Sequence, residues 1–511
     1  MKMHESAKGL ACPTGQTGRT SPTGQSFAFA IVAACVAACS SVCASESKGA
    51  AVVRDIGSRL ELFVDDWLIE SMSNTNLKMH EPMRKEVVFN FDAPWEGGFS
   101  AYVTIMKDQD RFTMYYRGGG ELSHEYTCLA QSQDGVTWTR PSLGLFEFNG
   151  SKDNNIIWTG QKKAYWESHN FSPFKDTNPA ASSSQRYKAV TLGRQPIDGD
   201  TQKVLLAFVS PDGIRWKRLQ DEPIITEGSF DSHNTAFWDS VQQHYVCYLR
   251  QSRDGKRSVC RSFSKDFVHW SQPEWLDFGD TPLEHLYTNG IVPYFRAGHI
   301  YLGLPMRFVP DRTHVGGEGR RTDGLSDAVF MSSRDGVNWD RRFMEAFIRP
   351  GLDPANWGGA HGNNTPAWGI IPTSDTEISL YVSENYGNYP EGVNRVPRLR
   401  RYVLRLDGFV SVNAPYEGGQ MLTKPFIFKG TRLLINYSTS AVGSVKVEIQ
   451  DQAGAGIVGF GLADATEIYG DEIERAVSWQ HGTDVSRLAG KPIRLRFVMK
   501  DADLYSMCFR P

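Results

Sequence analysis

A seven-residue pattern that recurs along the chain limits its fold more than any other feature of the sequence. It reads SQDGVTW at 132–138, SPDGIRW at 210–216 and SRDGVNW at 333–339, with looser copies SKDFVHW at 264–270 and LDGFVSV at 406–412. Ser, Asp and Gly in this order are typical of a turn between two strands. Successive copies lie roughly 50 to 80 residues apart, a spacing that fits one four-stranded propeller blade with insertions.

Strand-like runs precede each copy and predict hairpins. Examples are AYVTIMKDQDRFTMYYRG at 101–118 and TAFWDSVQQHYVCYLR at 235–250, which alternate and are rich in β-branched and aromatic residues. We therefore predict an all-β chain with a five-bladed β-propeller over residues 60–412. The segment LELFVDDWLIES at 60–71 is expected to supply a closing strand or the approach to the first blade. Short alternating runs without the Asp-Gly-Trp pattern predict a C-terminal β-sandwich over 413–511.

The first fifty residues differ from the rest. The run FAFAIVAACVAACSSVCA at 27–44, followed by polar SESKG, has the character of a secretory apolar region and cleavage zone. It predicts a signal peptide over 1–44, a linker over 45–59, and a secreted or periplasmic bacterial protein. The tetrapeptide VAAC occurs twice and resembles a lipobox, so a lipid anchor is the alternative. No later stretch is long and apolar enough to span a bilayer.

Charge and cysteine content exclude several classes of function. With 55 basic and 58 acidic residues the chain has no overall basic field, so nucleic acid and anionic membrane surfaces are not expected partners. Four cysteines follow residue 44, each in a strand-like run, and predict buried thiols: Cys128, Cys247, Cys260 and Cys508. No zinc motif is present, so we assign no cofactor and no metal ligand. A structural metal ion in the funnel is the alternative.

The sequences ESHN at 167–170 and DSHN at 231–234 occupy one structural position in neighbouring blades. The residues just before each inner strand of a propeller face the common axis. A repeat explains the shared order but not the polarity, because buried carboxylates do not help an axis to pack. Convergence of acids, histidines and amides indicates a substrate pocket. The candidates are Glu96, Glu167, Asp231, Glu284, His169, Asn170, His233, Asn234, Asn289, His361 and Asn364.

The five hairpins, the SRDGVNW turns and the run WEGGFSAYVTIMKDQDRFTMYYRG at 95–118 make the chain resemble the five-bladed β-propeller glycoside hydrolases, which include families 32 and 43. The resemblance covers about residues 60–412. It implies an enzyme that cleaves oligo- or polysaccharides with three funnel carboxylates, and similar sandwiches follow the propeller in family 32. The first-blade Asp of that family falls near Ser100 here, and Asn170, Asn234 and Asn289 occupy the matching positions. The family triad therefore does not transfer residue by residue.

Glycosidic cleavage needs one protonated carboxyl group at the leaving oxygen and one ionised carboxylate as nucleophile or base. We expect Glu284 to be the acid, because apolar neighbours would raise its pKa. Asp231 is the expected nucleophile or base, with Glu167 second and Glu96 as a further candidate. The two funnel histidines at 169 and 233 would orient a carboxylate, contact sugar hydroxyls or bind a metal.

Arginines end the second strand of four predicted blades, and an acid takes that place in the fifth. These residues are Arg117, Arg194, Arg250, Arg307 and Glu384. Arginines around a funnel would suit a carboxylate or sulfate on an acidic glycan, and pairing with aspartates at the surface is the alternative. Two other functions stay open: a catalytically silent glycan-binding propeller, and a polysaccharide lyase that would use Tyr287 and His233. The sequence does not fix the oligomeric state.

Overall fold

β-Strands make up nearly all of the regular structure. The computed structural model describes residues 52–119, 125–160, 166–197, 199–313, 324–358, 363–387 and 396–511, so the predicted signal peptide lies outside the described residues. Within these ranges the helical elements are three short 3-10 turns, Ser183–Gln185, Pro354–Asn356 and Ser486–Leu488. The predicted all-β class is confirmed. No helix in the described part of the chain is long and apolar enough to cross a membrane.

Five antiparallel sheets follow one another along the chain. The first contains Ala101–Asp108, Arg111–Gly118, Tyr126–Ser132, Trp138–Thr139 and Ile156–Thr159; the second contains Ser172–Lys175, Tyr187–Ile197, Asp200–Ser210 and Lys217–Arg218. The third contains Thr235–Asp239, His244–Arg253, Lys256–Ser264 and Glu274–Trp275; the fourth contains Ile291–Tyr294, Ala297–Gly303, Met331–Ser333 and Trp339–Asp340. The fifth contains Thr365–Pro366, Ile371–Pro372, Glu377–Glu384, Arg398–Arg405 and Met83–Asn90. A small sheet of His285–Leu286, Met306–Val309 and Leu325–Ala328 extends the fourth.

The remaining strands form a ten-stranded sheet that joins both ends of the described chain. Its strands are Arg54–Gly57, Glu61–Leu62, Ile69–Ser73, Asn76–Met79, Val410–Ala414, Gly419–Thr423, Phe426–Phe428, Arg432–Asp451, Asp471–Ala476 and Ile493–Arg510. The segment at 60–71 therefore pairs with C-terminal strands, and Met83–Asn90 is the N-terminal strand that completes the fifth sheet. The predicted boundary between the propeller and the C-terminal sandwich, after residue 412, falls inside the strand Val410–Ala414.

The repeated turn is held by the side chains that define the pattern. Ser132 Oγ accepts the Gly135 N–H at 2.8 Å, and Asp134 Oδ1 accepts the N–H groups of Val136 and Thr137 at 2.8 and 2.7 Å. The indole N–H of Trp138 donates to the Gly135 carbonyl at 3.1 Å. The same four bonds recur at 210–216, 264–270 and 333–339. The fourth position has φ near +70° in each copy, which explains why glycine occupies it in three of them.

The turns of the second, third and fourth sheets each pack against the sheet that precedes them in the chain. Trp216 of the second sheet lies edge-on to Tyr115 of the first, and Trp339 of the fourth lies edge-on to Tyr248 of the third. The turn of the first sheet contacts the fifth instead, where Trp138 meets Tyr381. The turn of the third sheet meets the second through Phe267 and Phe174. The fifth sheet meets the fourth through the indole N–H of Trp368, which donates to the Ile291 carbonyl at 2.8 Å. These contacts thus link the five sheets in cyclic order.

All four cysteines predicted to be buried are buried free thiols. Cys247 pairs with Ser262 and Cys260 with Leu249 in the same hairpin, so the two sulfur-bearing residues are diagonal neighbours. The prediction of four buried thiols is confirmed.

Candidate functional site

An ion pair recurs with the turns and uses three of the candidate carboxylates. An arginine two residues after the turn tryptophan contacts a glutamate that precedes the inner strand. The pairs are Glu96 with Arg140, Glu167 with Arg218, and Glu284 with Arg341. In the third sheet this place holds Gln272, whose amide, oriented as a donor, lies 2.9 and 3.2 Å from the Glu227 carboxylate oxygens. These acids therefore belong to a repeated structural contact.

Glu284 has surroundings opposite to those expected of it. Its carboxylate lies 3.1 Å from Arg307 and 2.7 Å from Arg341. Both carboxylate oxygens are thus occupied by guanidinium groups, whereas a general acid must present an oxygen to the leaving group. Arg307 is also engaged by Asp327 through contacts of 2.9 and 2.6 Å. The geometry does not support Glu284 as the acid or Arg307 as a free anion-binding group.

Glu384 is likewise enclosed by arginines. Its side chain is 1% exposed and lies within 2.8 Å of Arg84, Arg398 and Arg400. Burial alone would raise the pKa of Glu384, but hydrogen bonds from the three guanidinium groups lower it overall. This cluster ties the strand Met83–Asn90 to the fifth sheet. The contacts do not support a direct role for Glu384 in substrate binding.

Asp231 is the expected carboxylate that lies outside this arginine pattern. Its side chain is 35% exposed, and His169 Nε2 lies 2.8 Å from its Oδ1. Lys203 Nζ lies 3.3 Å from Oδ2. Burial opposes ionisation, yet the hydrogen bond from His169 and the charges of His169, Lys203 and Arg250 hold the pKa of Asp231 well below its usual range. A partly exposed carboxylate is thus kept ionised.

The other ring nitrogen of His169 faces a second carboxylate, that of Glu125. His169 Nδ1 lies 2.7 Å from Glu125 Oε2, and both side chains are nearly buried. Burial would raise the pKa of Glu125, but the charge of Arg117 and the hydrogen bond from His169 lower it. A protonated imidazole can donate to both acids at once. We call Glu125, His169 and Asp231 the carboxylate relay.

Arg117 anchors the buried end of the relay. Its Nη1 donates to Asn170 Oδ1 at 2.9 Å and lies 3.6 Å from Glu125, and its Nη2 donates to the Tyr386 hydroxyl at 2.8 Å. Its guanidinium group also stacks 4.6 Å from the centre of the Tyr102 ring. Arg117 is therefore committed to positioning the relay.

His233, the repeat counterpart of His169, has no carboxylate against its ring in the described contacts. Its Nε2 lies 3.3 Å from Thr104 Oγ1, and its ring meets that of Tyr102 edge-on at 6.0 Å. Burial and the charge of Arg117 lower the pKa of His233 to about 3. His233 is therefore neutral near pH 7, and the two histidines of the repeat have different chemistry.

Most of the candidate amides stabilise the backbone. Asn234 donates to the Phe230 carbonyl at 2.7 Å, Asn289 to the His233 carbonyl at 3.0 Å, and Asn364 to the Ser326 carbonyl at 2.8 Å. Asn170 differs, because its Nδ2 is buried and no residue in the described part of the chain accepts a hydrogen bond from it. His361 lies outside the described residues.

Backbone conformation also marks this region. Tyr102, Trp166, Asn170 and Asn364 precede or begin inner strands and have φ between 46° and 60°. Asn tolerates the left-handed region, but for a bulky residue it is an outlier of the kind that clusters at functional sites. Sequence reasoning missed Tyr102, Tyr386 and Glu125; the left-handed conformation and the long-range contacts that mark them leave no local signal.

Two grooves described by the structure do not contain the relay. One of about 1070 Å³ is lined in part by Phe295, Glu377 and Asp471, and one of about 750 Å³ in part by Trp67 and Arg334. A cluster of ionisable groups with shifted pKa values indicates a functional site more specifically than the volume of a groove does. We therefore assign the candidate site to the carboxylate relay. No cluster of three metal-ligating side chains occurs among the residues that the structure describes.

Comparison with known proteins gives matches at the level of solved structures. No protein-family model matches the chain, and no curated protein matches it. An N-acetylgalactosamine deacetylase from F. plautii, in complex with blood group B trisaccharide, is 13% identical, with a TM-score of 0.44 over 65% of this chain and 96% of that one. A Bombyx mori family-32 β-fructofuranosidase is 10% identical, with a TM-score of 0.41 over 85% and 94%. A thermostable family-43 glycoside hydrolase is 11% identical, with a TM-score of 0.40 over 63% and 95%. All three are distant structural similarities, at 10–13% identity.

Proposed function

We propose that this protein is a glycoside hydrolase in which Asp231 acts as nucleophile or as the base that activates water. The observation that carries the proposal is that Asp231, unlike Glu96, Glu167 and Glu284, makes no ion pair with any arginine that the structure describes. It is also partly exposed and is held ionised by His169. An ionised carboxylate open to the substrate is what either role requires. In this proposal His169 and Glu125 are positioning residues.

We further infer that the five sheets are the blades of a five-bladed β-propeller and that the ten-stranded sheet folds into a β-sandwich. The cyclic order of the contacts between neighbouring sheets and the completion of the fifth sheet by Met83–Asn90 support this arrangement. The strands at 54–79 then belong with the sandwich, and the propeller covers about 83–405. In such a fold the segments before the inner strands converge on the axis, which is where the relay residues His169 and Asp231 lie in sequence.

Tyrosine hydroxyls complete the proposed pocket. Tyr102 and Tyr386 lie beside Arg117, and burial raises the pKa of both. Both hydroxyls therefore keep their protons near neutral pH and can donate hydrogen bonds to a sugar. The reaction proposed here uses no cofactor.

The proposed substrate is an oligo- or polysaccharide, and an acidic or sulfated glycan fits best. Lys203 contacts Asp231, and the charge of Arg250 reaches it. The apolar segment at 27–44 supports export to the periplasm or the medium.

A product screen over neutral, uronic and sulfated glycans tests the proposal. We expect the wild type to release reducing ends and Asp231→Asn to lose about 100-fold or more of the rate. Asp254→Asn is the matched control, because that aspartate is 76% exposed at a hairpin tip. Asp231→Asn with wild-type activity would contradict the role of Asp231. An unsaturated, ultraviolet-absorbing product would identify a lyase instead, and glycan binding without any product would identify a recognition propeller.

A further inference from the structure

Two arginines share one face of the hairpin that rises beside Asp231. The hairpin is formed by His244–Arg253 and Lys256–Ser264. Arg250 pairs with Val259 and Ser252 with Arg257, so the side chains at 250 and 257 point to the same face. The inner strand begins at Thr235, which pairs with Tyr248. The strand His244–Arg253 therefore extends beyond the start of the inner strand, at the end where the chain arrives from Asp231.

Both guanidinium groups lie against one aromatic ring. The Arg250 guanidinium carbon lies 4.8 Å from the centre of the Tyr287 ring, and that of Arg257 lies 5.2 Å from it. Arg257 also lies 5.5 Å from the Phe308 ring. Stacking of this kind fixes the plane of a guanidinium group while leaving its edge available for hydrogen bonds.

The two charges are not neutralised by carboxylates at ion-pair distance. Neither Arg250 nor Arg257 forms an ion pair with any residue that the structure describes, unlike Arg117, Arg140 and Arg307. Arg250 Nε donates to the Ser229 carbonyl at 3.1 Å, whereas its Nη1 is buried with no hydrogen-bond partner among the described residues. A buried guanidinium N–H without an acceptor is a group that a ligand oxygen can satisfy.

We propose that Arg250 and Arg257, stacked on Tyr287, form a subsite for a carboxylate or sulfate group on the sugar that lies next to the bond cleaved at Asp231. The subsite rests on the proposed function, since Asp231 defines where the bond lies. It assigns the anionic group to this pair and not to Arg117 or Arg307, whose donors are already used. Both kinds of anion offer the oxygens that two guanidinium groups bind in bidentate fashion.

Calorimetric titration of the full chain tests this subsite with four probes: galacturonic acid, glucose 6-sulfate, galactose and glucose. We expect the wild type to bind at least one anionic sugar about 10-fold or more tightly than its neutral counterpart, and more weakly as salt rises. Arg257→Gln should remove that difference. Arg257→Lys should restore only part of it, since lysine keeps the charge but loses the planar fork.

Arg253→Gln is the matched control on the same hairpin, because Arg253 is 49% exposed and lies 3.8 Å from Asp254. Its affinities should stay within about 2-fold of the wild type. Equal binding of charged and neutral sugars, or an equal loss in Arg253→Gln and Arg257→Gln, would overturn the subsite. Selectivity for galacturonic acid alone or for glucose 6-sulfate alone would support it and identify the anion.

The two proposals fail separately. Hydrolysis of neutral glycans that depends on Asp231, without preference for anionic sugars, would keep the enzyme and overturn the subsite. Arg257-dependent binding of anionic sugars without cleavage would keep the Arg250–Arg257 pair as an anion-recognition site and overturn hydrolysis.

Discussion

Replacing His169 by Gln tests the relay at its centre. The imidazole lies 2.8 Å from Asp231 and 2.7 Å from Glu125, and glutamine cannot reach both. A hydrogen bond to a charged group contributes about 1.5–3 kcal/mol. One pKa unit corresponds to about 1.4 kcal/mol, so loss of the bond to Asp231 should raise its pKa by about 1–2 units. The folded protein should lose about 2–4 kcal/mol, mostly at the buried Glu125 end, because water can replace part of the bond at Asp231.

The pH dependence of hydrolysis and of thermal unfolding measures both effects. The pKa of Asp231 is depressed in the folded state, so its contribution to stability is present above the unfolded value of about 3.9 and is lost as pH falls through the folded value. In His169→Gln the acid limb of the rate profile should move up toward about 3.9. His233→Gln is the matched control, since it occupies the same place in the repeat without a carboxylate partner. An acid limb that is unchanged in His169→Gln, or that moves equally in both variants, would refute the reasoning.

Two further predictions concern stability. Glu384→Gln leaves three arginines around a buried site and should cost about 3 kcal/mol or more in the free energy of unfolding. The control is Glu472→Gln, which breaks an exposed pair with Arg475 at 3.2 Å and should cost less than about 1 kcal/mol. Equal losses in denaturant unfolding would contradict this prediction. Asp134→Ala removes the acceptor that the Thr137 and Val136 N–H groups share and should cost about 1 kcal/mol near pH 7. The hydrogen bond from the Thr137 N–H is the main cause that lowers the pKa of Asp134 to about 2. The difference in stability between the variant and the wild type should therefore shrink as pH falls from about 4 to 2. A difference in thermal midpoint that does not depend on pH would count against this prediction.

The strands and turns could be predicted because their signals are local. The Ser-x-Asp-Gly pattern specifies its own hydrogen bonds, as the contacts of Ser132 and Asp134 show. The pairing of Arg54–Gly57 with Phe426–Phe428 could not be predicted, because partners more than 350 residues apart leave no periodicity in either segment. For the same reason the sequence predicts a closing strand or the approach to the first blade at 60–71, whereas the strand that completes the fifth sheet is Met83–Asn90.

The repeat indicates which residues to consider for the candidate site, but it indicates more carboxylates than the contacts support. The sequence shows an acid before an inner strand but not the cation that meets it, so Glu96, Glu167 and Glu284 were expected in the pocket. Their partners carry a readable signal: an arginine two residues after the turn tryptophan, at Arg140, Arg218 and Arg341. In the third copy Gln272 replaces that arginine and faces Glu227, while Asp231 is bound by His169 instead. A glutamate that recurs together with its arginine partner is explained by the folding of each repeat. A carboxylate that appears in one repeat without that partner is not explained in this way. Asp231 is therefore the carboxylate whose presence needs a functional reason.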